Sequence, residues 1–182
     1  MRELSLNILD IAQNSITAGA TLIAIRVAED TAADRLTIAV QDDGKGMTAE
    51  QVARVMDPFY TTRTTRKVGM GIPLFRMAAQ QTGGDLSIDS TPGAGTTVTA
   101  TFGLSHIDRM PLGDMTDTMV TLIRLNPHLD FVYTQSADDR SFRLDTRELR
   151  GVLDEVPLDT PDVLNWISDY LKQGLATLNS QA

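Results

Sequence analysis

The chain has 182 residues, enough for one domain or for one domain with a substantial extension. At 42% hydrophobic and 22% charged it has the composition of a soluble globular protein, and the absence of cysteine excludes a disulfide framework, a thiolate metal site and a cysteine nucleophile. A net charge of −8 argues against general nucleic-acid binding, and no apolar run approaches the length of a membrane span.

Met1-Arg2-Glu3-Leu4 opens the chain without an apolar signal region, so cytoplasmic residence is the expectation. The charge is uneven, net −6 over residues 105–182 and −2 over residues 1–104, which points to two parts with different duties.

Residues 7–18 read as an amphipathic helix, with Leu4, Ile8, Ile11, Ala12, Ser15 and Ile16 recurring at three- and four-residue spacing. Asn7, Asp10, Asn14 and Thr17 fall on another face. That stripe is the solvated side, or else Asn and Asp on one turn hold a hard cation and its water. Gly19 terminates the helix, and residues 21–27 and 36–41 alternate as two strands of a hairpin.

The second strand runs into Asp42-Asp43-Gly44-Lys45-Gly46-Met47. Its glycines allow positive φ or a close approach to bare backbone, and Asp42 stands where a buried acceptor can receive an exocyclic amine. A tight solvated turn is the plainer reading of the hexapeptide taken alone. Thr48 and Gln51 form a capping box for a short helix, which Asp57-Pro58-Phe59-Tyr60 breaks. A polar, basic loop at residues 61–67 then leads through Gly69-Met70-Gly71 into a helix over residues 72–79, with Pro73 in its first turn. Glycines, three cations and a helix N-terminus make a place for a polyphosphate, against the alternative of a surface loop. Strands at 85–90 and 96–102 flank the turn 91–95, which completes an α/β sandwich with helices on one face of an antiparallel sheet.

Four boxes therefore stand in one order: Asp10-x-x-x-Asn14 with Ala18; Asp42-x-Gly44-x-Gly46; Gly69-x-Gly71 after a basic loop; and Gly95-Thr96. Together they resemble the GHKL superfamily of histidine kinases, gyrase-type topoisomerases, heat-shock chaperones and MutL ATPases, over residues 4–103. The later boxes resemble histidine-kinase catalytic domains, and Asn14-Ser15 with Ala18-Gly19-Ala20-Thr21 resembles the MutL group. The resemblance implies a Bergerat fold, a mixed and mostly antiparallel sheet in a two-layer sandwich, that binds ATP and Mg²⁺. It makes Asn14 the Mg²⁺ ligand, Asp42 the acceptor for the adenine amino group, and Gly44, Gly46 and Met47 the adenine lining with Ala18 behind. Gly69, Met70, Gly71 and Ile72 would meet the phosphates under a lid carrying Arg63, Arg66 and Lys67, and Thr96 would bond near the base.

This chain departs from the family pattern in three places. Members that hydrolyse ATP place Glu four residues before the metal Asn to activate water, whereas this chain has Asp10, one methylene shorter. The usual Gly-Thr-Gly-Leu-Gly run reads Lys67-Val68-Gly69-Met70-Gly71. The sequence begins at the first helix of the ATP domain, so the dimerisation helix pair that bears a kinase's acceptor histidine is expected to be absent.

Residues 105–182 match none of these boxes and read as an acidic α/β extension to an ATP-binding domain at 1–104. A helix is expected at 114–125, a hairpin from 131–134 and 141–144, a helix capped by Asp145 and Glu148, and a last helix from Thr160-Pro161. That last helix carries an apolar stripe of Val163, Leu164, Ile167, Leu171, Leu175 and Leu178, which suits a core or a homodimer seam. His106 and His128, the only histidines, sit among loop residues and read as surface groups rather than phospho-acceptors. Three functions fit. The first is a stand-alone kinase-like enzyme that phosphorylates or regulates a partner protein, as anti-sigma serine kinases of this superfamily do, with Asp10 in its catalytic site. The others are a nucleotide-sensing module with little turnover and a MutL-like DNA-repair ATPase, which the acidic charge disfavours.

Overall fold

The computed structural model describes residues 3–61 and 71–180. Six strands form one sheet in the order β3-β4-β2-β1-β5-β6, built from β1 (Leu22–Asp30), β2 (Arg35–Asp42), β3 (Leu86–Thr91), β4 (Gly95–Gly103), β5 (Asp130–Ala137) and β6 (Arg140–Asp145). Every neighbouring pair is antiparallel except β1 and β5, which run parallel from Leu22 opposite Asp130 to Glu29 opposite Ala137. The hairpin of the C-terminal part thus extends the sheet of the first part along the free edge of β1.

Alternation decides which face is covered. Ile23, Ile25 and Val27 of β1, Leu36, Ile38 and Val40 of β2, Val98, Ala100 and Phe102 of β4, and Phe131 and Tyr133 of β5 are buried. Their alternates Arg26 and Gln41 are exposed. Across the buried face lie α1 (Leu4–Thr17), α4 (Gly71–Gln80), α5 (Met115–Leu125) and α7 (Pro161–Ser180), in the lateral order α4-α1-α5-α7. Val163, Ile167, Leu171 and Leu178 of α7 are buried, so its apolar stripe serves the core. Each such leucine or isoleucine stabilises the fold by roughly 1.5–3 kcal/mol. Among the described residues no helix is long and apolar enough to cross a membrane.

Three local expectations change. Helix α1 starts three residues before its sequence pattern, with no side-chain cap at Glu3. The first two N–H groups, of Leu4 and Ser5, instead donate to the carbonyls of Pro111 (3.0 Å) and Leu112 (2.7 Å), more than a hundred residues away in sequence. The segment after α2 (Ala49–Met56) is not simply a break, because Pro58–Thr61 forms a short helix, α3. Asp57 ends one helix and caps the next, its Oδ1 accepting the Phe59 N–H at 2.9 Å. Helix α6 (Thr146–Leu153) is capped by Asp145 as expected, but Glu148 does not complete a capping box. Its carboxylate accepts instead from Arg143 at 2.7 Å, a charge-assisted bond that wins over a neutral N–H.

Asp145 is 4% exposed and accepts from the guanidinium groups of Arg147 (2.9 Å) and Arg143 (2.7 Å). Hydrogen bonding to Arg147 holds its carboxyl below the usual carboxylate range, against the opposing effect of burial. A depressed folded pKa contributes stability that is complete above the unfolded value and is lost as pH falls through the folded one. Asp145→Asn is therefore expected to cost about 1–2 kcal/mol at neutral pH, with both arginines half-exposed and screened. The gap from wild type should close below roughly pH 4, as thermal denaturation across pH will show.

Candidate functional site

At the Asp42 end of β2, Ser15 of α1, the start of β1 and the β3–β4 turn come together. Asp42 pairs with Ile23 of β1 and with Thr96 of β4, so its side chain rises on the helix-covered face and is 9% exposed. Its Oδ2 accepts from the Ser15 hydroxyl at 2.6 Å and its Oδ1 from the Gly44 N–H at 2.9 Å. Two donors from different elements fix the plane of the carboxylate, and its remaining lone pairs can take a further donor.

Asp43, the neighbouring carboxylate, turns the other way. It accepts from the Thr21 N–H (2.7 Å), the Thr21 hydroxyl (2.6 Å) and the Leu22 N–H (3.0 Å). These bonds, the Thr21 hydroxyl foremost, hold its carboxyl below the usual range. Asp43 anchors the loop to the start of β1 while Asp42 faces inward. The loop is tied further by Lys45 N–H to the Ala18 carbonyl (2.9 Å) and Gly93 N–H to the Lys45 carbonyl (2.7 Å). Gly46, at φ +70°, lies so close to the Thr91 carbonyl that a Cβ would stand 2.0 Å from its oxygen.

These contacts frame a pocket of about 310 Å³. Ile11, Met47, Val55, Ile72 and Val98 give it apolar walls, and Asn14, Ser15, Asp42 and Thr96 supply polar groups. An apolar cleft with few convergent polar groups is the usual form of a small-molecule site. Of the residues singled out from sequence, Asn14, Ala18, Asp42, Gly46, Met47, Ile72 and Thr96 line it. Gly44 is buried behind Asp42. Asp10 and Gly71 stand against each other where α1 meets the start of α4, a Cβ on Gly71 falling 3.5 Å from the Asp10 Cβ. Partial burial there pushes the Asp10 carboxyl above its ordinary pKa. Arg63, Arg66, Lys67, Gly69 and Met70 lie outside the described residues.

Two serines that the sequence marks only as helix and strand residues hold the site together. Ser15 sits among the apolar residues of α1 at 3% exposure, and a polar group on that face needs a buried partner, which is Asp42. Ser90 contacts the Thr96 hydroxyl (2.8 Å) and accepts from the Met47 N–H (2.8 Å), linking β3 and β4 to the Asp42 loop. Among the described residues no group of three or more His, Cys, Asp or Glu could hold a metal ion. His106 makes a local bond, its Nδ1 accepting the Asp108 N–H at 3.1 Å.

The family profile of "Histidine kinase-, DNA gyrase B-, and HSP90-like ATPase" matches residues 1–106. The chain is 33% identical over 97 residues to the "Non-motile and phage-resistance protein" of Caulobacter vibrioides, an alignment that covers 50% of this chain and 12% of that protein. It is 34% identical over 77 residues to the sensor histidine kinase ZraS of Klebsiella oxytoca, covering 42% of this chain and 16% of that one. The chain therefore spans only a small part of the length of these relatives. Its fold is similar to a crystal structure of the N-terminal domain of a DNA repair protein, with a TM-score of 0.55 at 14% identity, covering 80% of this chain and 52% of that one. The two-layer sandwich, the loop at the end of β2 and the match over residues 1–106 agree, and the chain belongs to the histidine kinase-, DNA gyrase B- and HSP90-like ATPase family.

Proposed function

We propose that the pocket binds ATP with Mg²⁺ and that the chain transfers phosphate to, or regulates, a partner protein in the cytoplasm. The observation that carries this reading is Asp42, fixed by Ser15 and Gly44 with its acceptors turned into an apolar pocket of about 310 Å³. A rigid acceptor in such a place selects a purine with an exocyclic amine over one with a carbonyl, and so adenine over guanine. Gly46 and Met47 border the base, with Gly44 and Ala18 behind and Thr96 beside it. The phosphates extend toward the first N–H groups of α4 at Gly71 and Ile72. Gly69, Met70, Arg63, Arg66 and Lys67 belong to the phosphate and lid part of the same reading.

The donor set fits Mg²⁺. Asn14 offers one amide oxygen at the pocket, Asp10 lies one turn earlier on the same helix, and among the described residues no cluster of three or more His, Cys, Asp or Glu surrounds them. This ion keeps several waters and takes its other oxygens from phosphates. When bound, it neutralises phosphate charge. Asp10 is the residue to accept a proton at the phosphate end.

Residues 105–182 act in this proposal as an acidic extension that meets the partner, alone or as a homodimer. The shorter Asp10 carboxylate favours a second reading, in which nucleotide is sensed with little turnover. Phosphate incorporation into a co-purified partner separates the two. A DNA-repair role sits poorly with a net charge of −8.

Calorimetric titration tests the proposal. ATP is expected to bind with a Kd on the order of 10 μM and to weaken about tenfold when Mg²⁺ is chelated. A folded sample that takes up no ATP would overturn it.

A further inference from the structure

At about 100° per residue, Asn7 and Asn14 lie on nearly one line along α1, with Asp10 about 4.5 Å up the axis from Asn7 and roughly 60° round. This is the side of the helix that turns toward α4. Ile11 and Asn14 share the pocket with Ile72, and Asp10 stands beside Gly71. Ser5, on the opposite side, meets Gly113. The polar stripe of Asn7, Asp10, Asn14 and Thr17 is not all solvated, for Asn7 is 2% exposed. Its Oδ1 accepts no hydrogen bond, and it alone is in that condition among the buried side-chain polar atoms of the described residues.

A buried, unpaired amide oxygen disfavours folding, and an apolar residue would pack there at less cost. Such atoms are ordinarily met by ordered water. The Asn7 oxygen and the Asp10 carboxylate are both acceptors, so a group that satisfies the two together must donate two hydrogens, as water does. Residues three apart on a helix have Cβ atoms about 5–6 Å from each other, which suits one bridging water. Gly71 itself places no side chain against the Asp10 carboxylate, where a Cβ would stand 3.9 Å from Oδ2.

We infer that Asn7 is a positioning residue for Asp10, its Oδ1 and the Asp10 carboxylate sharing one buried water at the phosphate end of the pocket. The inference rests on the proposed ATP reading. One Asp10 oxygen is tied by that water, and the other faces the start of α4. In hydrolysis the attacking water forms a bond to the γ-phosphorus and gives its proton to the free Asp10 oxygen. The bond from that phosphorus to the bridging oxygen breaks, ADP leaves, and the proton then passes to solvent. Asn7 thereby holds the short Asp10 side chain in the direction that a longer glutamate would reach unaided.

The test compares full-length wild type with Asn7→Leu and Asn7→Thr, by ATP calorimetry, steady-state hydrolysis and thermal denaturation. Asn7→Leu removes the Asn7 end of the water bridge and buries apolar atoms at similar volume, so its Tm should stay close to that of wild type or exceed it. Its Kd and KM for ATP should stay within about twofold while kcat falls about tenfold, the part of proton-transfer catalysis lost when a base is misplaced. Asn7→Thr, which keeps an oxygen, should recover kcat to within about threefold of wild type. An unchanged kcat in Asn7→Leu, equal losses in both variants, or ATP binding by the wild type with no hydrolysis would each overturn the inference. Wild type that binds no ATP would overturn the underlying reading as well, which the calorimetry distinguishes.

Discussion

Gly95→Ala is expected to destabilise the fold by about 3–5 kcal/mol and to lower Tm on the order of 10 °C. Gly95 opens β4 at φ +98°, already unfavourable for a residue with a side chain. An added Cβ would stand 2.0 Å from the Asp42 carbonyl oxygen and 3.0 Å from the Asp43 Cα. Both neighbours are backbone, so no side chain can swing aside and β2 must part from β4. The parting moves Asp42 and Thr96 together, and ATP binding should be lost along with stability. Gly93→Ala in the same turn is the control. It has φ +81° but nothing within 4 Å of the added atom, and should cost only the roughly 1–2 kcal/mol of a left-handed residue. Equal Tm values for the two variants would refute the close-packing account.

Asp42→Asn should leave the chain folded and weaken ATP binding about a hundredfold, or about 2.7 kcal/mol. The substitution exchanges one acceptor oxygen for an NH₂ group. Whichever way the amide turns, a donor then faces the Ser15 hydroxyl or the Gly44 N–H, and the pocket loses an acceptor for the adenine amino group. Calorimetry gives the affinity, and thermal denaturation in parallel shows that the loss is local. The loss should be much smaller for GTP, which has no amino group at that position of the base. If ATP binds the variant as tightly as wild type, Asp42 does not read the base and the proposed orientation in the pocket is wrong.

Much of this site was legible before any coordinates. All six strands show in the sequence, because a sheet with one covered face imposes alternation such as Ile23, Ile25, Val27. The capping box at Thr48 and Gln51 is present as its local pattern specifies, with both reciprocal bonds made. Asn14, Asp42, Gly46, Met47, Ile72 and Thr96 reach one pocket from four separate segments. The glycine turns and the strand-end carboxylate were visible because each needs a special residue type in a short stretch of chain.

What remained hidden depended on partners far away in sequence. The start of α1 is set by the Pro111 and Leu112 carbonyls, and no residue near Leu4 signals them. The place of Asp42 at the strand end and in Asp42-x-Gly44-x-Gly46 marks it in the sequence, but its bond from Ser15 and the anchoring of Asp43 by Thr21 appear only in the folded chain. The burial of Asn7 and the bond from Ser15 to Asp42 have no local signal, because burial is a property of what packs against a residue. The parallel pairing of β5 with β1, which joins the acidic C-terminal part to the first sheet, is likewise absent from any local pattern. Periodicity and turn chemistry act over a few residues and are written in the sequence itself. Hydrogen-bond pairing, burial and sheet order between distant segments arise only when the chain closes on itself, so the tertiary structure alone decided them.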